Sequence, residues 1–456
     1  MKTLDEFFDE SGEDIKGVDE EEKEEKKELY GYELPEDWDV VELGKIFREV
    51  SKKERKISIE DDREYKLVTV KLYAKGIHLR ELKKGENIGT KTMYQVREGD
   101  FIFSKIDARN GAYGFVPPEL DGAVVSSDFP ILNLRKDIAS MDYVSYYLSQ
   151  PIVWESIRNY AVGSTNRKRI KVEDFSKIVK IPLPPLEEQK KIVYVLRTIQ
   201  RAIEQQDKII ETTKELKKSL MHRLFTKGLD ASQPTKQTEI GEVPEHWKIT
   251  TIGEVCHVGT GGTPSRKNPE YFGGEIPWVK STEIEYGIIR NTEETLTELG
   301  LKNSNAKIYP AGTLLIAMYG QGVTRGRCAI LGIDAAINQA CAALTPKDNT
   351  LDTSYLFYWC QFRYVQIREL GHGSNQPNLN LSLVRSIKVA VPPTLEEQKQ
   401  IVQILQTVDR KIEIAKKKKE VLQDLFKTML HKLMTAQIRV KDLEIPPEKF
   451  ETLSMI

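Results

Sequence analysis

The sequence predicts an α+β fold built twice on one chain. Two globular domains are each followed by a long helix, and the two helices pair in a coiled coil about which the internal repeat is pseudo-two-fold. Three observations predict it. The stretch beginning LEEQKKIVYVL, residues 186–226, recurs without a gap over residues 395–435, an offset of 209 with 19 of 41 positions identical. Both copies carry an apolar seam with steps of four and three residues. The entry turns GYELPEDW and GEVPEHW match at the same offset, Pro35 on Pro244, Trp38 on Trp247 and Gly44 on Gly253. A period of ~200 residues is too long for a solenoid unit and marks a duplicated domain-plus-helix module.

Each element has its own warrant. Residues 1–28 hold 13 Asp/Glu and 5 Lys, so an acidic head over 1–30 is expected to be disordered. That head leaves +7 on the remainder of a chain whose net charge is −1, which permits an anionic partner without specifying one. Domain one is expected over 31–181, with β-rich runs at 65–73, 99–106 and 122–134 and a helix at 145–160. The first long helix, 182–228, opens on Pro182, Pro184 and Pro185, which suit an entry turn, and carries Glu187 and Glu188 in its first turn. Its seam is Ile192, Leu196, Ile199, Ile203, Gln206, Ile210 and Thr213. After a linker at 229–240, domain two (241–391) repeats the layout, with strands at 312–320 and 335–346 and a helix at 354–370. The second long helix, 392–437, has the seam Ile401, Leu405, Val408, Ile412, Ala415, Leu422, Phe426, Met429 and Leu433, with Lys419 the polar intruder. This 3.5-residue period fits a coiled coil better than a helix lying on a core. Residues 438–456 are read as a tail.

Composition excludes several classes. No apolar run approaches the ~20 residues needed to cross a bilayer. The acidic start is no secretory signal. Four cysteines, none in a CxxC pair, point to a reduced intracellular protein with neither disulfide framework nor metal site. GTGGTPS lacks the GK[ST] ending of a phosphate loop, so residues 259–265 read as a close-approach turn. No nucleophile elbow is present. Glu188-x-Lys190 has the spacing of a nuclease pair but lies on the repeated helix, and reads as capping and surface charge. No catalytic site is expected.

What remains is a set of polar, glycine-punctuated loops whose side chains suit base edges and phosphates. In domain one they supply Lys105, Arg109 and Asn110 (SKIDARNGAYG), and Asn166, Arg167 and Lys168 (STNRKR). In domain two they supply Thr263, Ser265 and Arg266 (GGTPSRKN), Lys280 (WVKSTE), and Asn375 and Gln376 (GSNQPN). The loop MYGQGVTRGR adds Tyr319, Gln321, Thr324, Arg325 and Arg327. Should the partner be DNA, Lys105, Arg109, Arg325 and Arg327 are the residues expected to face it.

The doubled IPLPPLEEQKKIV and VPPTLEEQKQIV, the helix ends MHRLFTKG and LHKLMT, and the entries LPEDW and VPEHW resemble the specificity subunit of a type I restriction–modification system. GTGGTPSRKNPEYFGGEIPWVK, and AMYGQGVTRGRCAI followed by INQA, resemble one variety of that family's target recognition domain. The resemblance implies two target recognition domains, each reading half of a split site on double-stranded DNA. It implies antiparallel long helices acting as a ruler. It also implies assembly with two modification and two restriction subunits in a prokaryotic cytoplasm. S-adenosylmethionine, ATP and Mg are then expected in those partners and no cofactor on this chain. Unlike domain interiors imply an asymmetric target, with half-sites about one helical turn apart. The competing expectation is a scaffold whose paired helices bridge protein partners without touching DNA.

Overall fold

Each domain begins by tying its two ends together. Lys180–Leu183 pairs antiparallel with Asp39–Glu42, and Lys388–Val391 pairs in the same way with Lys248–Thr251. The computed structural model in which this is seen describes residues 27–160, 169–320, 322–371 and 378–445. Pro182, expected in the entry turn, lies inside the first of these ribbons opposite Val40. A two-stranded ribbon has free edges, so a residue without an N–H is tolerated there.

Leu186–Lys227 and Leu395–Met434 are helical, and the LEEQ sequence that opens both explains how they are anchored. Gln189 accepts from Ser140 N (2.8 Å) and donates to the carbonyls of Ile138 (3.0 Å) and Pro184 (2.8 Å). Gln398 accepts from Asp352 N (2.8 Å) and donates to Thr350 O (2.9 Å) and Pro392 O (3.3 Å). Both amides are fully buried and tie the loop before a domain helix to the long helix. The Glu before each glutamine accepts from the entry-turn tryptophan: Trp38 Nε1 donates to Glu188 (3.1 Å) and Trp247 Nε1 to Glu397 (2.9 Å). Glu188 is thus a buried acceptor, not the surface charge expected from sequence.

The repeat extends beyond the entry turns. Lys27 Nζ donates to Glu36 O and Trp38 O; Lys236 Nζ, 209 positions on, donates to Glu245 O and Trp247 O. Glu28–Leu29, assigned to the head, pairs with Tyr32–Glu33, and Thr235–Thr238, assigned to the linker, pairs with Gly241–Pro244. The tail is docked as well. Arg439 forms two bonds to Glu188 (2.7 and 2.8 Å) and two to Asp37 (2.7 and 3.1 Å).

Glu204–Glu420 forms one compact unit, and the described residues before and after it form another. Each unit therefore contains part of both long helices. In the second unit Asp207 meets Lys419 (2.5 Å) and Lys217 meets Asp409 (2.7 Å). One number rises as its partner falls, so the segments run antiparallel. Ile210, Val408, Ile412 and Ala415 are buried between them, and the intruder Lys419 is neutralised by Asp207. The helix ends depart from the coiled-coil expectation. Ile192, Val193 and Leu196 join Leu433 and Met434 in the core of domain one. Met221, Leu224 and Phe225 join Ile401 and Leu405 in the core of domain two. A seam period and a core-facing stripe share the same steps of three and four, so sequence spacing does not separate them.

The two domains share one topology although their interiors share little sequence. In each, helices cover one face of a central sheet and a second sheet covers the other. The central strand is buried on both faces. Phe101 and Phe103 face the helix core and Ile102 the second sheet; Leu314 and Ile316 face the helices and Leu315 and Ala317 the second sheet. In the second sheet Val124–Val125 lies parallel to Glu64–Val70 and antiparallel to Thr92–Gln95. Ala335–Ile337 likewise lies parallel to Phe272–Val279 and antiparallel to Ile308–Tyr309. The runs 122–134 and 335–346, read as single β-rich stretches, are two strands each. Val124–Val125 and Ala335–Ile337 belong to the second sheet, and Ile131–Leu134 and Cys341–Pro346 to the central one. The turns between them, 126–130 and 338–340, cross from one sheet to the other.

Candidate nucleic-acid interface

Those crossing turns are tied by backbone bonds to residues that open or follow several of the polar loops. In domain one, Lys105 N donates to Asp128 O (3.0 Å) and Ile170 N donates to Lys105 O (2.9 Å). In domain two, Met318 N donates to Ala340 O (2.7 Å) and Leu379 N donates to Met318 O (3.0 Å). The same pair of backbone bonds thus ties three segments together in each domain: the loop after the central strand, the crossing turn, and the chain after the third loop. These bonds place Lys105 on Met318, Asp128 on Ala340 and Ile170 on Leu379. By counting back, Ser127 falls on Gln339.

Different side chains decorate this common frame. Lys105 Nζ reaches Ser127 O at 3.3 Å, and Arg169 pairs with Asp128 at 3.2 Å. Burial is the largest influence on Lys105 and lowers its pKa; Lys52 and Arg169 push the same way, while Asp128 and Glu49 oppose them. Lys105 thus sits between two cations, Lys52 and Arg169, and two carboxylates, Asp128 and Glu49, and its ammonium is the group there that suits a phosphate. In domain two the frame carries neutral groups. Thr263 Oγ1 donates to Gln339 Oε1, and both residues are exposed. Thr260 Oγ1 donates to Gln339 O (3.3 Å) and Cys341 O (2.8 Å). Gly261 lies so close to the crossing strand that a Cβ would stand 1.7 Å from Ile337 O, which requires glycine at that position of GTGGTPS. Tyr319 follows Met318 and is 38% exposed.

Among the described residues, no three His, Cys, Asp or Glu side chains gather to hold a metal ion, and no helix is long and apolar enough to cross a membrane. The four cysteines are buried and free. The model of one protein family, described as the type I restriction modification DNA specificity domain, matches the chain twice, over residues 35–214 and 244–424. The chain belongs to this specificity family.

Individual members agree. The type I restriction enzyme MjaVIII specificity subunit of Methanocaldococcus jannaschii is 28% identical over 426 residues, 91% of this chain and 96% of that protein. The type I restriction–modification S subunit of M. genitalium shares the fold at a TM-score of 0.52 and 18% identity, over 90% of this chain and 98% of its own. A chain solved in work on complex assembly and conformational transition of the type I R-M system does so at 0.56 and 18% identity, over 88% and 99%.

For this specificity chain the loop residues expected from sequence divide into several groups. Lys105, Thr263 and Tyr319 lie at the frame. Arg109 and Asn110 lie in the short turn Ala108–Asn110, half-buried, with Asn110 accepting from Arg158 at 3.4 Å. Ser265 is exposed. Arg266 and Lys280 are engaged within the domain: both bind Glu294, at 2.5 and 2.9 Å, and Lys280 also binds Glu293 at 2.7 Å. The Arg266 and Lys280 hydrogen bonds lower the Glu294 pKa to about 2. Thr324 is half-buried.

Arg325 departs from expectation: it is 5% exposed, and its Nε finds no partner among the described residues. The cause is the glycine-rich loop, which folds back onto Tyr364–Glu369, where Arg368 donates to Gly322 O (2.7 Å) and Tyr364 OH to Val323 O (2.5 Å). Gly322 and Gly326 supply the positive φ this path needs. Arg327 pairs with Glu285 at 3.6 Å over the Tyr286 ring. Asn166, Arg167, Lys168, Gln321, Asn375 and Gln376 lie outside the described residues. Lys52, Ser127 and Gln339 are not among the expected residues, and Arg169 closes the STNRKR loop without being singled out. The INQA run was the available signal for Gln339; nothing local marks Lys52, which is more than 50 positions from Lys105.

Proposed function

We propose that this chain reads DNA for a type I restriction–modification complex. Each globular domain takes one half of an asymmetric bipartite site, and the paired helices act as the spacer. The observation supporting this most strongly is the duplicated three-segment frame, which carries cations in one domain and a hydroxyl–amide pair in the other. Ammonium groups suit phosphates; amides and hydroxyls suit base edges. One scaffold with two unlike faces is what a two-part, asymmetric target requires. The chain contributes selection and positioning, not chemistry. Two modification subunits supply methyl transfer with S-adenosylmethionine, and two restriction subunits use ATP and Mg. The assembly meets its DNA in the cytoplasm of a prokaryotic cell.

The test is a mobility-shift titration of the chain assembled with its modification subunit, at several stated salt concentrations. Duplex binding is expected, with affinity falling as salt rises. Lys105→Gln is expected to weaken all sequences alike and to flatten the log–log salt slope by about 0.9, one phosphate contact. An assembled complex that binds no duplex at low salt overturns the reading.

A further inference from the structure

We infer that Ser127 and Gln339 are one reading position, present once in each domain, and that Gln339 offers its amide NH2 to a hydrogen-bond acceptor on a base edge. The inference rests on the DNA-reading function proposed above. The equivalence follows from the two backbone bonds that place Lys105 on Met318 and Asp128 on Ala340. Both residues are exposed at the turn that crosses between sheets, Gln339 beside Thr263 and Ser127 beside Lys105.

Gln339 is exposed yet held. Its carbonyl oxygens, main-chain and side-chain, take the hydroxyls of Thr260 and Thr263. The turn beneath it is fixed by Asn338, whose Oδ1 accepts from Ala340 N and Cys341 Sγ, both at 3.1 Å. An unconstrained glutamine can use both ends of its amide and pair bidentately with adenine. Here the oxygen already accepts from Thr263, so the amide keeps its NH2, a donor, as the end without a partner among the described residues. In the major groove it suits guanine N7 and O6, adenine N7 or thymine O4, and it rejects the cytosine amino group. Ser127 carries a hydroxyl that both donates and accepts, so the equivalent position in domain one is less selective.

The experiment uses the chain assembled with its modification subunits, acting on a library of duplexes, with methylated motifs read by sequencing. Wild type should give one bipartite motif. Gln339→Glu keeps an acceptor for Thr263 and replaces the NH2 donor by an acceptor. It should lower methylation of the wild-type motif roughly tenfold to hundredfold and select cytosine at one position of one half-site. Thr263→Val, which frees the amide to turn over, should relax that same position. The other half-site and the gap should not change. Unaltered motifs in both variants, effects at two different positions, or uniform loss across all sequences would each overturn the inference. A wild-type complex that yields no bipartite motif would instead remove the underlying function.

Discussion

At the scale of single residues, Glu188 is a buried charge with several partners. Its carboxylate is 3% exposed and accepts from Trp38 and Arg439. Burial alone would raise its pKa, but the Arg439 and Trp38 hydrogen bonds outweigh it and hold the value below the ordinary glutamate range. Its contribution to stability is thus present above the unfolded value near ~4.3 and lost as pH falls through the lower folded one. Arg439→Met removes the counter-charge and leaves a buried carboxylate whose folded pKa must rise. That variant should lose about 2–4 kcal/mol at pH 7. Its raised pKa reverses the sign: the cost is greatest above the folded pKa and disappears on protonation. The deficit relative to wild type should therefore narrow between pH 7 and pH 5. Urea unfolding of both proteins at the two values checks this, and a deficit that stays constant or widens would refute it. Among the described residues Glu397 meets no such arginine; His246 and Trp247 pair with it, at 3.1 and 2.9 Å.

At the scale of elements, the long helices test how far periodicity can be read. Ile412 and Ile414 are two residues apart on one helix, 8% and 59% exposed. Ile412 sits in the seam with Ile210, Val408 and Ala415, whereas Ile414 does not. Ile412→Ala should cost about 2–4 kcal/mol and Ile414→Ala less than ~0.5, measured by denaturant midpoint at constant m-value. Equal costs would mean the seam is not the stabilising contact. The repeat, both helices and this seam were legible because they depend on spacing along the chain. Which parts of the seam meet a helix and which meet a domain was not, since Leu196 and Ile210 occupy equivalent steps but different surroundings. The candidate loops were legible by composition, whereas the engagement of their side chains was not. Arg266 and Lys280 looked available, yet their partner Glu294 is 28 and 14 positions away. Arg325 looked like a reader until the loop around it folded inward. Ser127 and Gln339 lie in unlike sequences, and only the shared backbone bonds around them reveal that they are the same place.

At the scale of the whole molecule, the two half-sites should be separable from the distance between them. On the proposed reading each half is taken by loops of its own domain, and the helices serve as the spacer between them. Their seam repeats every 3.5 residues, so an insertion preserves the pairing only if it comes in sevens and in both helices. Seven residues placed after Gln206 in the first helix and seven at the facing position near Lys419 in the second keep Asp207 opposite Lys419 and extend the paired stretch. At about 1.5 Å per residue this adds roughly 10 Å, close to three base pairs at about 3.4 Å each. Motif sequencing of DNA methylated by the assembled variant should return both half-sites unchanged with a gap about three base pairs longer. The original gap would show that something other than helix length sets the spacing. A change within either half-site would show that the helices and the reading loops are coupled, against the separation that two self-contained sheet frames imply.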